Sequence, residues 1–109
     1  AGAFPTWLAP VQVKVIPISE NQHDYAEKIT QQLKDVGIRV EDDLRNEKMG
    51  YKIREAQLQK IPYMLVVGEK EMADQLVSVR ARKEENGGVM SMDNFIAKIL
   101  LEVAQKTIN

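Results

Sequence analysis

The stretch that most constrains the fold is 63–68 (Tyr-Met-Leu-Val-Val-Gly), which carries no polar side chain except the tyrosine hydroxyl and directly follows Pro62. A strand with one face in water alternates polar and apolar residues, so a continuous apolar run of this length is typical of a central strand covered on both faces. Such a strand needs a helical layer on each side of its sheet. We therefore expect an α/β domain.

The rest of the chain alternates between strand and helix patterns. Strand patterns are predicted at 11–18, 38–42, 63–68, 76–82 and 89–90. Of the three helix patterns between and after them, the first ends at Gly37, the second ends before Pro62, and the third is capped by Ser91. The order β-α-β-α-β-β-(β)-α predicts a three-layer fold, an open mixed sheet of about five strands with three helices on both faces.

Length and composition exclude several classes of protein. The chain has 109 residues, of which 44% are hydrophobic and 28% are charged, as in a globular domain. It has no cysteine and only His23, which argues against disulfides, zinc-thiolate sites, thiol catalysis and histidine-based metal sites. No apolar stretch approaches the ~20 residues that span a bilayer, and no signal peptide is expected. We therefore expect a soluble, cytoplasmic protein.

Charge is distributed locally rather than evenly. A net charge of −1 argues, on average, against a nucleic-acid partner. However, residues 45–60 contain five basic residues against only Glu47 and Glu55. The basic residues are Arg45, Lys48, Lys52, Arg54 and Lys60. An anionic ligand would therefore have to bind a patch of this kind.

The start of the second helix pattern allows two interpretations of Asn46. Its side chain could cap the helix, which the spacing alone favours, or its amide could both donate to and accept from a base edge. The two roles are compatible. On the helix itself, the periodicity buries Met49, Ile53 and Ala56. It places Lys48, Lys52, Glu55 and Gln59 on the opposite, polar face.

A second polar group follows the central strand. Lys70 and Glu71 come directly after it, where open α/β sheets usually hold ligands, and Arg80 lies on the polar side of the next strand. Glu71 and Arg80 could form a surface ion pair of little consequence. They could equally recognise a base, because a carboxylate accepts from the Watson–Crick edge of guanine and a guanidinium donates to base carbonyls. Residue patterns alone leave both open.

Other candidate sites are weaker. The acidic residues 41–43 could bind a divalent ion, but a solvated strand end is favoured. Tyr51 and Tyr63 could stack on bases, although Tyr63 beside Pro62 is favoured as a core residue. No phosphate-binding glycine loop is present, and no nucleophile is paired with a base, so a free-standing enzyme is disfavoured.

Four segments together resemble one protein family over nearly the whole chain. They are Phe-Pro-Thr-Trp-Leu-Ala-Pro-Val-Gln at 4–12, Asp-Leu-Arg-Asn-Glu-Lys-Met-Gly-Tyr-Lys-Ile-Arg-Glu at 43–55, Ile-Pro-Tyr-Met-Leu-Val-Val-Gly-Glu-Lys-Glu at 61–71, and Val-Ser-Val-Arg-Ala-Arg at 77–82. These segments resemble the C-terminal anticodon-binding domain of the threonyl-tRNA synthetases, which are class II aminoacyl-tRNA synthetases. The segment 84–89 departs most from the family pattern.

The resemblance implies a domain that grips the anticodon arm of threonine tRNAs and recognises the second and third anticodon bases, G and U. Carried over by motif position, the base-contacting residues would be Asn46, Lys70, Glu71 and Arg80. Residues that would meet the phosphate backbone or support the site are Arg54, Lys60 and Lys48. The fold would be that of the class II anticodon-binding domains.

The resemblance also implies what lies outside this chain. Residues 1–10 would form the junction with a catalytic domain, and 11–109 would be the anticodon-binding domain. The parent enzyme, a homodimer, would attach threonine to its tRNA. Its ATP, magnesium and zinc sites would lie elsewhere, leaving no cofactor, metal or catalytic residue here. The alternative is a non-catalytic protein-interaction or accessory domain of the same fold.

Overall fold

The computed structural model describes residues 4–81 and 88–106. Five strands and four α-helices follow one another along the chain. They are β1 (Val13–Pro17), α1 (His23–Asp35), β2 (Val40–Asp42), α2 (Met49–Leu58), β3 (Tyr63–Val67), α3 (Glu69–Asp74), β4 (Leu76–Ala81), β5 (Gly88–Ser91) and α4 (Met92–Ala104). Two single 3₁₀ turns, Thr6–Leu8 and Glu20–Gln22, precede β1 and α1 respectively.

The strands form one mixed sheet in the order β2-β1-β3-β4-β5. β1 pairs in parallel with β2 and β3, whereas β4 pairs antiparallel with β3 and β5. β3 is the middle strand, and all five of its residues are buried. The predictions of a five-stranded mixed sheet and of a central strand at this position are confirmed.

The two faces of the sheet carry separate cores, because successive side chains of a strand point to opposite faces. On one face, Leu65 packs with residues of α1 and α4, including Ile29 and Phe95. On the other face, Met64 packs with Ile53 of α2. The predicted three-layer arrangement is therefore confirmed, with α1 and α4 on one side of the sheet and α2 on the other.

The prediction of three helices is wrong, because a fourth, α3, lies directly after the central strand, where no helix was predicted. Its six residues bury no side chain, so they show no apolar periodicity to detect. One bond of a capping box stabilises its start, since Glu71 accepts a hydrogen bond from the backbone N–H of Gly68, which has no side chain to return the other. Gln75 ends it in the left-handed conformation, at φ 58°. Capping rather than burial makes this helix.

Two predicted helix boundaries are confirmed. Gly37 follows α1 with φ +85°, a conformation that glycine adopts without strain. The Ser91 hydroxyl accepts from the Asn94 N–H at 3.2 Å and so caps α4. The predicted edge strand at 89–90 belongs to β5. Of the segment 84–89, residues 84–87 lie outside the described part of the chain.

The start of the chain is fastened to the domain. The Gln12 side-chain amide donates to the Thr6 carbonyl at 2.9 Å. The Arg39 guanidinium donates to the Trp7 carbonyl at 3.0 Å and to the Ala9 carbonyl at 2.9 Å. These bonds fix the path of the first described residues. That 1–10 is an interdomain junction stays a prediction.

Candidate nucleic-acid interface

The loop between β2 and α2 is organised around a buried carboxylate. The side chain of Asp43 is 3% exposed, and Arg45 binds both of its oxygens, with Nε–Oδ1 at 2.9 Å and Nη2–Oδ2 at 2.7 Å. Arg45 also donates to Glu55 Oε1 at 2.5 Å. The hydrogen bonds from Arg45 are the main reason that the pKa of Asp43 is lowered. The first acidic residue of this loop is thus an ion-pair partner held inside the fold.

Asn46 does not cap α2, so the interpretation favoured by spacing is wrong. The N-cap of α2 is Lys48, and no side chain caps this helix. Asn46 instead lies at the centre of a three-residue turn, closed by a hydrogen bond of 2.9 Å from the Glu47 N–H to the Arg45 carbonyl. Its side chain is exposed and makes no hydrogen bond within the described part of the chain. The amide is therefore available to a ligand.

Lys52 was expected on the polar face of α2, and this is wrong. The residue is only 3% exposed, and its ammonium donates to the Asp43 carbonyl at 2.8 Å. Burial is the main cause that lowers the pKa of Lys52. Lys52 lies three residues after Met49 and four before Ala56, so its helical position is at the margin of the buried face and not opposite it as predicted. Only the tertiary structure shows that the β2–α2 loop covers it. Lys52 is therefore a structural residue.

The acidic residues 41–43 form the solvated strand end that the sequence favoured only in part, because Glu41 is exposed and Asp43 is buried. Glu41 forms an ion pair with Lys14 at 3.0 Å across the β1–β2 pairing, and Asp43 is buried against Arg45. Across residues 4–81 and 88–106, no group of three acidic, histidine or cysteine side chains could hold a metal ion. Glu41 and Asp43 are thus ion-pair partners within the fold.

Lys70 and Glu71 lie on α3, at the carboxyl end of β3, as the sequence predicts. Glu71 is partly exposed, and its Oε1 accepts from the Gly68 N–H at 2.8 Å. That bond occupies one carboxylate oxygen, and the other makes no hydrogen bond within the described residues. Lys70 is exposed beside it. Asn46 lies at the same edge of the sheet, because the parallel strands β2 and β3 end on the same side.

Arg80 is not at that edge. In the antiparallel pairing of β4 with β3 it lies opposite Met64, four residues before Gly68, which places it roughly 13 Å away along the strand. The Glu71–Arg80 ion pair, one of the two alternatives that the sequence left open, is absent from the described residues, and the Arg80 guanidinium makes no hydrogen bond there. The structure brings Asn46, Lys70 and Glu71 to one edge of the sheet and separates Arg80 from them.

The three residues predicted to meet phosphate lie along α2. Lys48, Arg54 and Lys60 are all exposed, at the start, in the middle and after the end of the helix. Six residues separate Lys48 from Arg54, which turns the second side chain about 120° around the helix axis. The three therefore do not form a single stripe.

The two tyrosines that were considered for base stacking, Tyr51 and Tyr63, have different environments. Tyr51 on α2 is 49% exposed, and the Arg45 guanidinium lies 5.7 Å from its ring centroid. Tyr63 is buried, with its ring edge-on to Phe95 at 5.6 Å between centroids, so the prediction of a core residue is confirmed. Only Tyr51 could stack on a base.

Comparison with known proteins identifies the family. Residues 12–102 match the family model described as the anticodon binding domain. The chain is 63% identical, over 108 residues, to a threonine–tRNA ligase of Caldanaerobacter subterraneus, and 60% identical over 107 residues to one of Clostridium novyi. The chain belongs to the anticodon-binding domains of threonyl-tRNA synthetases.

The same family accounts for the fold. The solved RNA binding domain of threonyl-tRNA synthetase from Cryptosporidium parvum Iowa II superposes with a TM-score of 0.88 at 36% identity, covering 92% of this chain and 25% of that one. The match to the Caldanaerobacter ligase covers 99% of this chain and 17% of that ligase, and the match to the Clostridium ligase covers 98% and 17%. The chain therefore corresponds to only a small part of either ligase. Among its described residues, no helix is long and apolar enough to cross a membrane.

One surface of the anticodon-binding domain was not predicted as a unit. The core beneath α2 contains residues of α2, β1 and β3 and the segment before β3, whereas the residues of β4 and β5 on this face lie outside it. Ser78 and Arg80 alternate with the buried Val77 and Val79, and Val89, opposite Ser78, is 56% exposed. We call Ser78, Arg80 and Val89 the open sheet face. Alternation in β4 was its only sequence signal.

Proposed function

We propose that the chain binds the anticodon arm of a threonine tRNA and that Asn46, Lys70, Glu71 and Arg80 contact its bases. One observation carries the proposal. The fold gives no hydrogen bond, within the described residues, to the Asn46 amide or to the Arg80 guanidinium. Polar groups that a fold leaves unused, in a domain of this family, are suited to base edges.

The geometry constrains how the RNA would lie. Asn46 and Glu71 stand at the carboxyl edge of the sheet, and Arg80 belongs to the open sheet face, roughly 13 Å further along β3. An RNA strand that contacts Asn46, Glu71 and Arg80 must therefore cross from that edge onto the sheet face that carries α2. Because one oxygen of Glu71 already accepts from Gly68, its second oxygen is the one available to a base donor.

Phosphate contacts would supply much of the affinity. The exposed cations Lys48 and Arg54 lie at the start and in the middle of α2, on different sides of its axis, and Lys60 follows the end of that helix. Contacts of this kind release counterions, so binding should weaken steeply as salt is added. They position the RNA without distinguishing its sequence.

We further infer that the chain acts as part of a longer, cytoplasmic, homodimeric ligase that attaches threonine to its tRNA. Its ATP, magnesium and zinc sites, and its catalytic residues, would lie in other parts of that protein. Two exposed apolar side chains support a contact with another part of that protein: Phe4 is 50% exposed and Leu58 is 75% exposed. Both line a cavity of about 290 Å³ that also includes Lys60.

A titration with RNA stem-loops tests the proposal. One stem-loop carries a threonine anticodon, and two others change its second or third base. We expect the first to bind most tightly, with each base change costing roughly 1–3 kcal/mol. NMR shifts should show the Asn46 and Arg80 side chains moving together. Binding that ignores the anticodon would contradict base recognition and would favour the accessory, protein-interaction alternative.

A further inference from the structure

The turn that carries Asn46 is held in place by the ion pair beside it, between the buried Asp43 and the half-exposed Arg45. We propose that Asp43 and Arg45 are positioning residues, which fix the direction of the Asn46 amide for recognition of an anticodon base. This inference rests on the proposed function and adds two residues to it. Neither needs to touch the RNA.

The first step is the geometry of the ion pair. Arg45 uses two nitrogens for the two oxygens of Asp43, at 2.9 and 2.7 Å, which is the bidentate arrangement of arginine with a carboxylate. The backbone N–H of Arg45 also donates to Asp43 Oδ1, at 3.3 Å. The arginine is therefore fixed in both its main chain and its side chain.

The second step is the connection to α2. Lys52 donates to the Asp43 carbonyl at 2.8 Å, and Glu55 accepts from Arg45 Nη2 at 2.5 Å. Both residues belong to the helix that packs on the sheet, so the loop is tied to a rigid element at two points. A site held by such supporting contacts is more precise than one on an untethered loop.

The third step connects this anchor to Asn46. The residue follows Arg45 directly, and the turn around it is closed by the hydrogen bond of 2.9 Å from Glu47 to the Arg45 carbonyl. The exposed amide consequently has one anchored neighbour and one hydrogen-bonded turn to set its direction. A rigid amide would lose less conformational freedom on binding a base than a mobile one.

Arg45 itself is poorly placed to act as a phosphate ligand. Its Nε and Nη2 already donate to carboxylates, and its guanidinium lies 5.7 Å from the ring centroid of Tyr51. The exposed Lys48 and Arg54 form no ion pair within the described residues and are better suited to that task. This difference separates positioning from direct contact.

The test is a double-mutant cycle with Arg45→Lys and Asn46→Ala, read as the ratio of affinities for the threonine stem-loop and a base-changed stem-loop. Lysine keeps the charge but cannot form the bidentate contact. Asn46→Ala should lower that ratio by roughly 5- to 150-fold, the range for one lost base contact. Arg45→Lys should lower it by at least about fivefold, and the double variant no further than Asn46→Ala alone.

Arg39→Lys is the matched control, because the Arg39 guanidinium also donates hydrogen bonds within the fold, but at the opposite end of β2. It should leave the ratio unchanged. If Arg45→Lys does not unfold cooperatively, Asp43→Asn replaces it, since it keeps the shape of the carboxylate. A normal ratio in the Arg45 variant, or effects that simply add, would overturn the positioning role alone. A parent chain that does not discriminate anticodons would overturn the proposed function and this inference with it.

Discussion

Arg80 lies directly opposite Met64 in the pairing of β4 with β3, so the two side chains share the face of the sheet that carries α2. Met64 is 3% exposed and belongs to the core under α2, whereas Arg80 is only partly buried. The helix covers one half of this face and leaves the other half to Arg80. The backbone of Arg80 is thereby fixed on the sheet, and its guanidinium makes no hydrogen bond within the described residues.

This position predicts different behaviour for two arginines. Arg80→Ala should weaken binding of the threonine stem-loop by roughly 1–3 kcal/mol and reduce the preference for its anticodon, because a base contact is lost. Arg54→Ala should weaken all stem-loops alike and lower the salt dependence by about one counterion. Anisotropy titrations at several salt concentrations separate the two. Equal binding by the Arg80 variant and the parent would remove Arg80 from the site.

Asp43 predicts a loss of stability in acid. Hydrogen bonds from Arg45 chiefly hold the pKa of Asp43 below its ordinary value of 3.8. A carboxyl whose pKa is depressed by folding stabilises the fold above its unfolded pKa, and this contribution is lost as pH falls through the folded pKa. Asp43→Asn should therefore cost about 1–3 kcal/mol near pH 7 and progressively less below about pH 4.

Urea unfolding of parent and Asp43→Asn at both pH values measures this difference. Glu41→Gln is the control, because Glu41 is 56% exposed in its ion pair with Lys14 and should contribute less than about 1 kcal/mol. A difference between parent and Asp43→Asn that stays constant down to about pH 2 would show that the ionised carboxylate is not what stabilises the loop.

Tyr25 predicts the opposite dependence in alkali. Its hydroxyl donates to the Leu76 carbonyl at 2.8 Å. Burial, and then the charge of Glu71, raise the pKa of Tyr25 above its ordinary value of 10.0. A group whose pKa is raised by folding stabilises the fold below its unfolded pKa and loses this contribution as pH rises through the folded pKa. Tyr25→Phe should cost about 1 kcal/mol up to about pH 9 and less above about pH 10.

Denaturant titrations across that pH range test this prediction. Tyr51→Phe provides the comparison, since its ring is 49% exposed and its loss of a hydroxyl should change stability by less than about 0.5 kcal/mol. If Tyr25→Phe unfolds at the same denaturant concentration as the parent near neutral pH, the hydrogen bond to Leu76 contributes nothing.

Phe95 predicts the largest effect on stability. Its side chain is fully buried on α4, edge-on to Tyr63. Phe95→Ala should destabilise the fold by about 3–5 kcal/mol, through lost burial and the cavity left behind. Leu101→Ala on the same helix should change it by less than about 0.5 kcal/mol, because Leu101 is 58% exposed. If thermal unfolding ranks these two variants in the reverse order, the packing of α4 on the sheet described above is wrong.

Patterns along the chain were sufficient for most of the fold. The apolar run 63–67 and the helix stops at Gly37 and Pro62 predict their elements because burial periodicity and backbone conformation are local properties. α3 escaped prediction because a short helix held by a cap rather than by burial has no periodicity. The periodicity of α2 depends only on the residues of that helix, so it could not show that the β2–α2 loop would cover Lys52.

The sequence by itself determined the order of most strands and helices along the chain, the central strand and the family, since these depend on which residues follow one another. It also named the polar residues of the candidate site. Only the tertiary structure decided how those residues are arranged. Antiparallel pairing carried Arg80 away from Glu71, and the contacts of Lys52 and Glu55 with Asp43 and Arg45 tied the turn that presents Asn46 to α2. Register and long-range pairing fix such distances, and neither is a property of neighbouring residues.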